Sequence, residues 1–198
     1  MVYNGKLSPE VLNIKGMSGR KYRYFINNLI GGMIDPHYLE IGVWAGSTLC
    51  SAIFNNKLTA TAIDNWSQFG GPSDQFLNNL AIFKGVDAKV SFLEKDFRNV
   101  DYSALGLFDV YLFDGPHAEV DQYDGVMLAQ PALKQEYVLI VDDWNWLSVR
   151  AGTYRALKEL SPTMLWSAEI RTTQDEKARS GGDWHNGYFI AVMNKATG

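Results

Sequence analysis

Cysteine and histidine are scarce in this chain of 198 residues, which has a single cysteine, Cys50. One cysteine allows neither an internal disulfide nor a CxxC site, and this favours a reducing compartment. With no signal-like segment, we expect a cytoplasmic protein. The histidines, His37, His117 and His185, are too scattered for an HExxH or histidine-rich zinc site. The GxSxG and GxxxxGK(S/T) strings are missing, which excludes the enzymes that depend on them.

Long hydrophobic runs and a large excess of one charge are missing too. No apolar stretch reaches the roughly 18 residues of a membrane helix. The chain has 18 basic and 22 acidic residues, a formal net charge of -4, so we expect neither a membrane nor a nucleic acid as partner. Length predicts a single domain over residues 1–198, with a helical cap over 1–35 and a core over 36–198. The chain carries no dimer signature and is compatible with a homo-oligomer.

Turn signals recur between short apolar runs, which predicts alternating strands and helices of the α/β class. Several runs are continuously apolar, as is typical of parallel strands covered on both faces. We predict a mostly parallel seven-stranded sheet with helices on both faces and an antiparallel last strand. The polar connection 171–187 is interpreted either as a lid or as a plain surface loop. The predicted strands are 38–41, 59–63, 90–93, 110–113, 138–141, 165–170 and 188–193, and the predicted helices are 17–34, 47–55, 73–83, 118–133 and 148–160.

A glycine-containing turn, YLEIGVWAGST, follows the first predicted strand and precedes a helix. Ligands of open parallel sheets bind at the carboxyl ends of the strands, where a helix N-terminus offers unpaired N–H groups. Gly42 and Gly46 have the spacing GxxxG rather than the GxGxxG of dinucleotide folds. Glu40 would repel a pyrophosphate, so the turn disfavours a phosphate-bearing cofactor.

The next two predicted strands end in the acids Asp64 and Asp96. Asp64 follows Glu40 by 24 residues, a distance that suits an acid accepting hydrogen bonds from both ribose hydroxyls. Asp96 is placed to accept a hydrogen bond from an adenine amino group. Each acid alone is more commonly a helix cap or a loop residue, but three acids on successive strand ends beside one glycine turn indicate a binding site.

The Glu40, Gly42 and Gly46 string is similar to the (D/E)xGxxxG motif of class I S-adenosylmethionine-dependent methyltransferases, and this resemblance covers most of the chain. It implies a Rossmann-like fold and S-adenosylmethionine as cofactor. That cofactor has no phosphate and carries a sulfonium and an ammonium group, so an acidic rim such as Glu40, Asp64 and Asp114 attracts it. The cofactor-binding residues implied by the resemblance are Glu40, Gly42, Val43, Trp44, Gly46, Ser47, Thr48, Asp64, Asn65, Trp66, Asp96, Phe97 and Asp114.

Four tryptophans, Trp44, Trp66, Trp144 and Trp146, follow predicted strands 1, 2 and 5. We expect them to crowd one edge of the sheet. They either shape a ligand pocket there, through stacking or a contact with the sulfonium, or pack the loops onto the sheet.

Acids also end the fourth and fifth predicted strands. Asp114 and Asp142 lie 28 residues apart, a βαβ repeat that brings both to the same edge beside Asp143. Adjacent carboxylates need raised pKa values, a basic partner or a divalent cation. With oxygen ligands only, Mg2+ is favoured, with Mn2+ and Ca2+ as alternatives.

The DGPH and VDDW strings resemble cation-dependent O-methyltransferases of the macrolide-sugar, macrocin-type group. The resemblance implies Asp114, Asp142 and Asp143 as metal ligands and His117 as the general base, where the catechol-type branch has lysine. Asp114 and His117 are thus the predicted catalytic residues, with His185 in reserve. The implied reaction is methyl transfer to a hydroxyl of a small molecule or sugar.

Three other interpretations stay open. A non-catalytic S-adenosylmethionine-binding protein would need Glu40 and Asp64 but not His117. A nicotinamide-dependent oxidoreductase is disfavoured because GxGxxG and a YxxxK-like pair are missing. A nucleobase amino-methyltransferase typically has (N/D/S)PP(Y/F/W) where this chain has DGPH.

Overall fold

The computed structural model describes residues 5–179 and 182–196. Residues 1–4, 180–181 and 197–198, which the single-domain prediction includes, lie outside this described part. Within it, seven strands form one sheet in the order β3-β2-β1-β4-β5-β7-β6. The strands are β1 (His37–Ile41), β2 (Leu58–Asp64), β3 (Ala88–Glu94), β4 (Phe108–Phe113), β5 (Leu133–Asp142), β6 (Thr163–Ile170) and β7 (Tyr188–Asn194).

All neighbouring strands from β3 to β5 run parallel, and β7 is antiparallel to both β5 and β6. The helices are α1 (Pro9–Leu12), α2 (Arg20–Gly31), α3 (Ser47–Ile53), α4 (Ser73–Phe83), α5 (Glu119–Leu128) and α6 (Leu147–Leu160). Apolar side chains of α2, α3 and α4 form a core on one face of the sheet, and those of α5 and α6 form a core on the other. This confirms the predicted Rossmann-like α/β sheet with its antiparallel last strand.

The helices predicted over 17–34 and 118–133 differ most from the sequence-based bounds. The helix predicted to reach residue 133 ends at Leu128, because a 3-10 turn (Gln130–Ala132) containing Pro131 follows and Leu133 already belongs to β5. Helix α2 begins after its N-cap Gly19 rather than at residue 17. The four-residue helix α1 was not predicted. In the described part of the chain no helix has the length and apolarity needed to cross a membrane.

The connection between β6 and β7 lies against the carboxyl edge of the sheet in its described residues. The backbone carbonyls of Gly182 and Asp183 accept N–H groups from the start of α2, at Arg20 and Tyr22. The carbonyl of Asn186 accepts the N–H of Asn145, just after β5. The connection is therefore attached by backbone hydrogen bonds to α2 and to the loop after β5, on either side of the predicted site.

Candidate active site

A cleft with a volume of about 110 Å³ opens at the carboxyl ends of β1, β2 and β4. Met17, Phe69 and Lys95 also line it, which the sequence had not indicated. The predicted site residues that line the cleft are Gly42, Trp44, Asp64, Asn65, Asp96, Phe97, Asp114 and His117.

The backbone angles and the close neighbours of the turn after β1 require glycine at positions 42 and 46. Gly42 has φ +87°, and a Cβ atom there would lie 1.8 Å from the carbonyl oxygen of Asp114. Gly46 has φ +83°, and its Cβ would lie 3.0 Å from Phe76. Only glycine adopts both the backbone angle and the close approach without strain. The turn therefore packs directly on the end of β4, and Gly42 forms part of the cleft wall.

Asp64 organises the cleft floor through backbone hydrogen bonds. Its carboxylate accepts the N–H of Trp44 at 2.8 Å and the N–H of Trp66 at 2.7 Å. Asp96 accepts the N–H of Arg98 at 2.9 Å and the side-chain amide of Asn65 at 3.3 Å. Carboxylate oxygens have two lone pairs each, so both acids retain capacity for a ligand hydroxyl or amino group.

Glu40 does not belong to the rim of the cleft, which corrects one expectation. Its side chain is fully buried on the α2 side of the sheet, and the Tyr38 hydroxyl donates to it at 2.6 Å. Burial raises the pKa of Glu40 to about 8. The acidic groups that line the cleft are instead Asp64, Asp96 and Asp114.

The second half of the glycine turn after β1, from Gly46 to Thr48, does not line the cleft. The N-terminal segment passes over it: the Ser18 and Ser47 hydroxyls are 3.0 Å apart, and a Cβ on Gly16 would clash with Ser47. Trp66 packs against Phe76 and Phe92, 5.8 and 4.9 Å away between ring centroids. Of the predicted cofactor residues, those that do not line the cleft are Glu40, Val43, Gly46, Ser47, Thr48 and Trp66.

The four tryptophans occupy different environments. The Trp44 indole lines the cleft and donates to the carbonyl of Phe69 at 3.0 Å. Trp146 stacks on His117 with 6.4 Å between ring centroids. Trp144 is fully buried in the core on the α6 side, where it stacks on Phe189. Of the two alternatives, Trp44 shapes the cleft, whereas Trp144 packs into the core.

Asp114 and Asp142, which we call the acid pair, follow β4 and end β5, near enough for the charge of Asp114 to raise the pKa of Asp142. Burial, followed by the charge of Asp143, raises the pKa of Asp114 to about 7. Burial and the charge of Asp114 raise the pKa of Asp142 well above its ordinary value. The acid pair therefore favours sharing a proton or a cation over two negative charges.

Asp143 has side-chain partners outside the acid pair. Its carboxylate lies 2.6 Å from Nε2 of His117 and accepts the side-chain amide of Asn186 at 2.7 Å. The hydrogen bond to Asp143 raises the pKa of His117. Burial opposes ionisation of Asp143, but the hydrogen bond and charge of His117 outweigh it, so the pKa of Asp143 is lowered. Asn186 was missed, although it follows the reserve candidate His185 directly.

Within residues 5–179 and 182–196, no group of three or more histidine, cysteine, aspartate or glutamate side chains is arranged to hold a metal ion. Of the three predicted ligands, the fold brings Asp114 and Asp142 together and turns Asp143 towards His117. The side chain of His185 is half-buried near Asp143, and burial lowers its pKa.

Comparison with solved structures gives several matches of the same fold. TrmN from Thermus thermophilus has 14% identity and a TM-score of 0.60, over 88% of this chain and 48% of that chain. The O-methyltransferase TomG from Streptomyces achromogenes has 14% identity and a TM-score of 0.58, over 88% of this chain and 78% of that chain. Precorrin 8w decarboxylase from Methanobacterium thermoautotrophicum has 14% identity and a TM-score of 0.61, over 96% of each chain. At these identities the likeness shows the fold, and this chain spans about half the length of TrmN.

No curated protein matches the sequence. A family model described as a methyltransferase domain matches residues 39–144, more than half of the chain. The matched segment begins in β1 and ends just after β5, and therefore includes the glycine turn, Asp64, the acid pair and His117. The chain therefore belongs to this family of methyltransferase domains.

Proposed function

We propose that this protein is an S-adenosylmethionine-dependent O-methyltransferase acting on a hydroxyl group of a small molecule or sugar, with assistance from Mg2+. One observation carries the proposal: His117, paired with Asp143, lies at the end of the same cleft that Asp64 and Asp114 line. A binding site and a group able to accept a proton thus share one cavity, as an enzyme requires and a carrier does not.

The cleft fits S-adenosylmethionine by chemistry. Its acids suit the two kinds of polar group on that molecule, because carboxylates accept hydrogen bonds from ribose hydroxyls and attract the cationic sulfonium and ammonium groups. Trp44 and Phe97 provide aromatic surface in the same cleft. In this proposal Asp64 binds the ribose, Asp96 and Phe97 the adenine, and Gly42 and Asp114 the methionine part.

The acid pair fits a hard divalent cation. Asp142 is buried and Asp114 is half-buried, and because both have raised pKa values, a positive charge between them would stabilise them. The fully buried Tyr22 hydroxyl has no hydrogen-bond partner among the described residues, and burial, followed by the charge of Asp142, raises its pKa. All-oxygen surroundings favour Mg2+ over zinc. Asp114 and Asp142 would hold the ion.

The chain's own residues supply positioning and a base. Bound S-adenosylmethionine supplies an electrophilic methyl group, and bound Mg2+ lowers the pKa of a hydroxyl that contacts it. Gly42 and Asp64 fix the wall and floor of the cleft, which sets the position of a ligand relative to His117. His117 accepts the proton of the acceptor hydroxyl, and the acid pair keeps that hydroxyl at the end of the cleft.

The proposal is tested by methyl transfer from radiolabelled S-adenosylmethionine to a panel of polyols, glycosides and catechols, with Mg2+ or with a chelator. We expect transfer to at least one hydroxylated acceptor, lowered by the chelator. His117→Ala should lower turnover by about 10²- to 10⁴-fold while S-adenosylhomocysteine binding is kept. Equal turnover in wild type and His117→Ala would refute the role of His117 as the base. Tight binding of NADH in place of S-adenosylhomocysteine would refute S-adenosylmethionine as the cofactor.

A further inference from the structure

We infer that Asp143 and Asn186 are positioning residues that hold His117 by its Nε2–H, so that Nδ1 is the atom that takes the proton. This inference rests on the proposed role of His117 as base. In this inference Asp143 binds His117 rather than a metal ion, whereas the sequence resemblance implied that Asp143 is a metal ligand.

Both oxygens of Asp143 are already engaged by side chains. Oδ2 lies 2.6 Å from Nε2 of His117, and Oδ1 accepts the Nδ2–H of Asn186 at 2.7 Å. Asp143 has a positive φ of 58°, an angle that is costly outside glycine and persists only where the surroundings hold it. With this backbone angle the Asp143 carboxylate contacts His117 and Asn186.

The orientation of the Asn186 amide is fixed by a second hydrogen bond. Its Oδ1 accepts the backbone N–H of Arg179 at 2.7 Å, so its Nδ2 must be the atom that faces Asp143. The Asn186 carbonyl accepts the backbone N–H of Asn145 at 2.9 Å, and only 8% of Asn186 is exposed. Asn186 thus links the connection between β6 and β7 to the carboxylate that holds the base.

A carboxylate that accepts from one ring nitrogen decides which nitrogen of a neutral imidazole carries the proton. With Nε2–H held by Asp143, the lone pair of the His117 ring is on Nδ1. In the transfer step the proton of the acceptor hydroxyl passes to Nδ1, and the electron pair of that oxygen forms the bond to the methyl carbon. The carbon–sulfur bond breaks with its pair remaining on sulfur. The charge of the resulting imidazolium is balanced by Asp143.

NMR on protein labelled with ¹⁵N-histidine shows directly which nitrogen of the His117 ring carries the proton. The sample needs no methyl donor, metal ion or methyl acceptor. Spectra would be recorded at about pH 9, where a neutral imidazole carries one N–H, and His117→Gln assigns the signal. We expect a His117 Nε2–H correlation and a bare Nδ1 in the wild type. Asn186→Ala and Asp143→Asn should speed exchange of that proton by at least about tenfold, whereas Asp101→Asn, at an exposed acid that accepts the Ser103 N–H, should leave it unchanged.

Two results would overturn the inference: a proton on Nδ1 with a bare Nε2 in the wild type, or unchanged exchange in Asn186→Ala. If Asp143→Asn fails to fold, the wild-type tautomer and Asn186→Ala still decide the question. Because no methyl transfer is measured, the outcome is separate from that of the proposed function. The expected tautomer in a protein that transfers no methyl group would refute the function and leave the positioning intact.

Discussion

The carboxylate of Asp64 accepts the backbone N–H of Trp44 at 2.8 Å, across 20 positions of sequence. This hydrogen bond joins the end of β2 to the glycine turn after β1. Because the other oxygen of Asp64 holds the N–H of Trp66, one side chain orders the two loops that border the cleft. An acid at this position therefore shapes the site before any ligand binds.

We expect Asp64→Asn to weaken S-adenosylhomocysteine binding by about tenfold or more, because hydrogen bonds to a charged acceptor contribute about 1.5–3 kcal/mol. Isothermal titration calorimetry measures the change. Asp101→Asn is the matched control, since Asp101 also accepts a backbone N–H, from Ser103 at 3.1 Å, but does not line the cleft. Equal affinity in the two variants would contradict a role for Asp64 in binding.

Comparing the stability of Gly42→Ala with that of Gly70→Ala separates the cost of a steric clash from the cost of backbone strain. Both residues have φ near +85°, at 87° and 82°, but a Cβ on Gly42 meets the Asp114 carbonyl whereas one on Gly70 meets nothing within 4 Å. We expect Gly70→Ala to cost about 1–2 kcal/mol and Gly42→Ala to cost more than about 4 kcal/mol, through overpacking added to strain. Urea unfolding measures both, and similar costs would contradict the contact between the turn and β4.

Glu40→Gln should change how stability depends on pH. The pKa of Glu40 is raised by burial to about 8 from 4.5. The folded state therefore binds more protons than the unfolded state between these values, and the free energy of unfolding falls as pH rises through this window. We expect the stability of Glu40→Gln relative to wild type to rise by about 1–3 kcal/mol between pH 5 and pH 8. Urea unfolding at several pH values measures this difference.

Glu136→Gln is the control for removing one acid, because Glu136 is exposed on β5. If Glu40→Gln and Glu136→Gln have parallel stability curves against pH, then Glu40 is not the buried acid that the structure shows.

Mg2+ should stabilise the wild type through the acid pair. An ion at ten times its dissociation constant adds about 1.4 kcal/mol to the free energy of unfolding. We expect a rise of a few degrees in the melting temperature of the wild type and of Asp101→Asn, reversed by a chelator, and no rise in Asp142→Asn. Differential scanning calorimetry measures these shifts. The same rise in Asp142→Asn as in the wild type would place the ion elsewhere.

Much of the architecture could be predicted from local patterns. Short apolar runs between turn signals marked all seven strands, and several of these runs are continuously apolar because strands buried on both faces leave no polar alternation. The turn residues between them placed α3, α4 and α6 to within a few positions. The antiparallel pairing of β6 and β7 followed from a connection with no helix in it. The 3-10 turn at Gln130–Ala132 was missed because its residues also suit the end of a helix.

The candidate site was only partly predictable, because a strand end specifies an edge of the sheet but not the direction of a side chain. Glu40 is the penultimate residue of β1 and Asp64 is the last residue of β2, yet Glu40 points into the core beside Tyr38 and Asp64 points to the cleft. Asp142 and Asp143 are neighbours in sequence, yet they have different partners.

By itself the sequence determined the order of strands and helices, the glycine turn and the edge at which the acids gather, because these depend on local periodicity and on residue types that only certain backbones accept. Only the tertiary structure decided which acid binds which partner. Asn186 reaches Asp143 across 43 residues, and Arg179 orients it. Such contacts depend on how distant loops pack, and a short stretch of sequence does not contain that information.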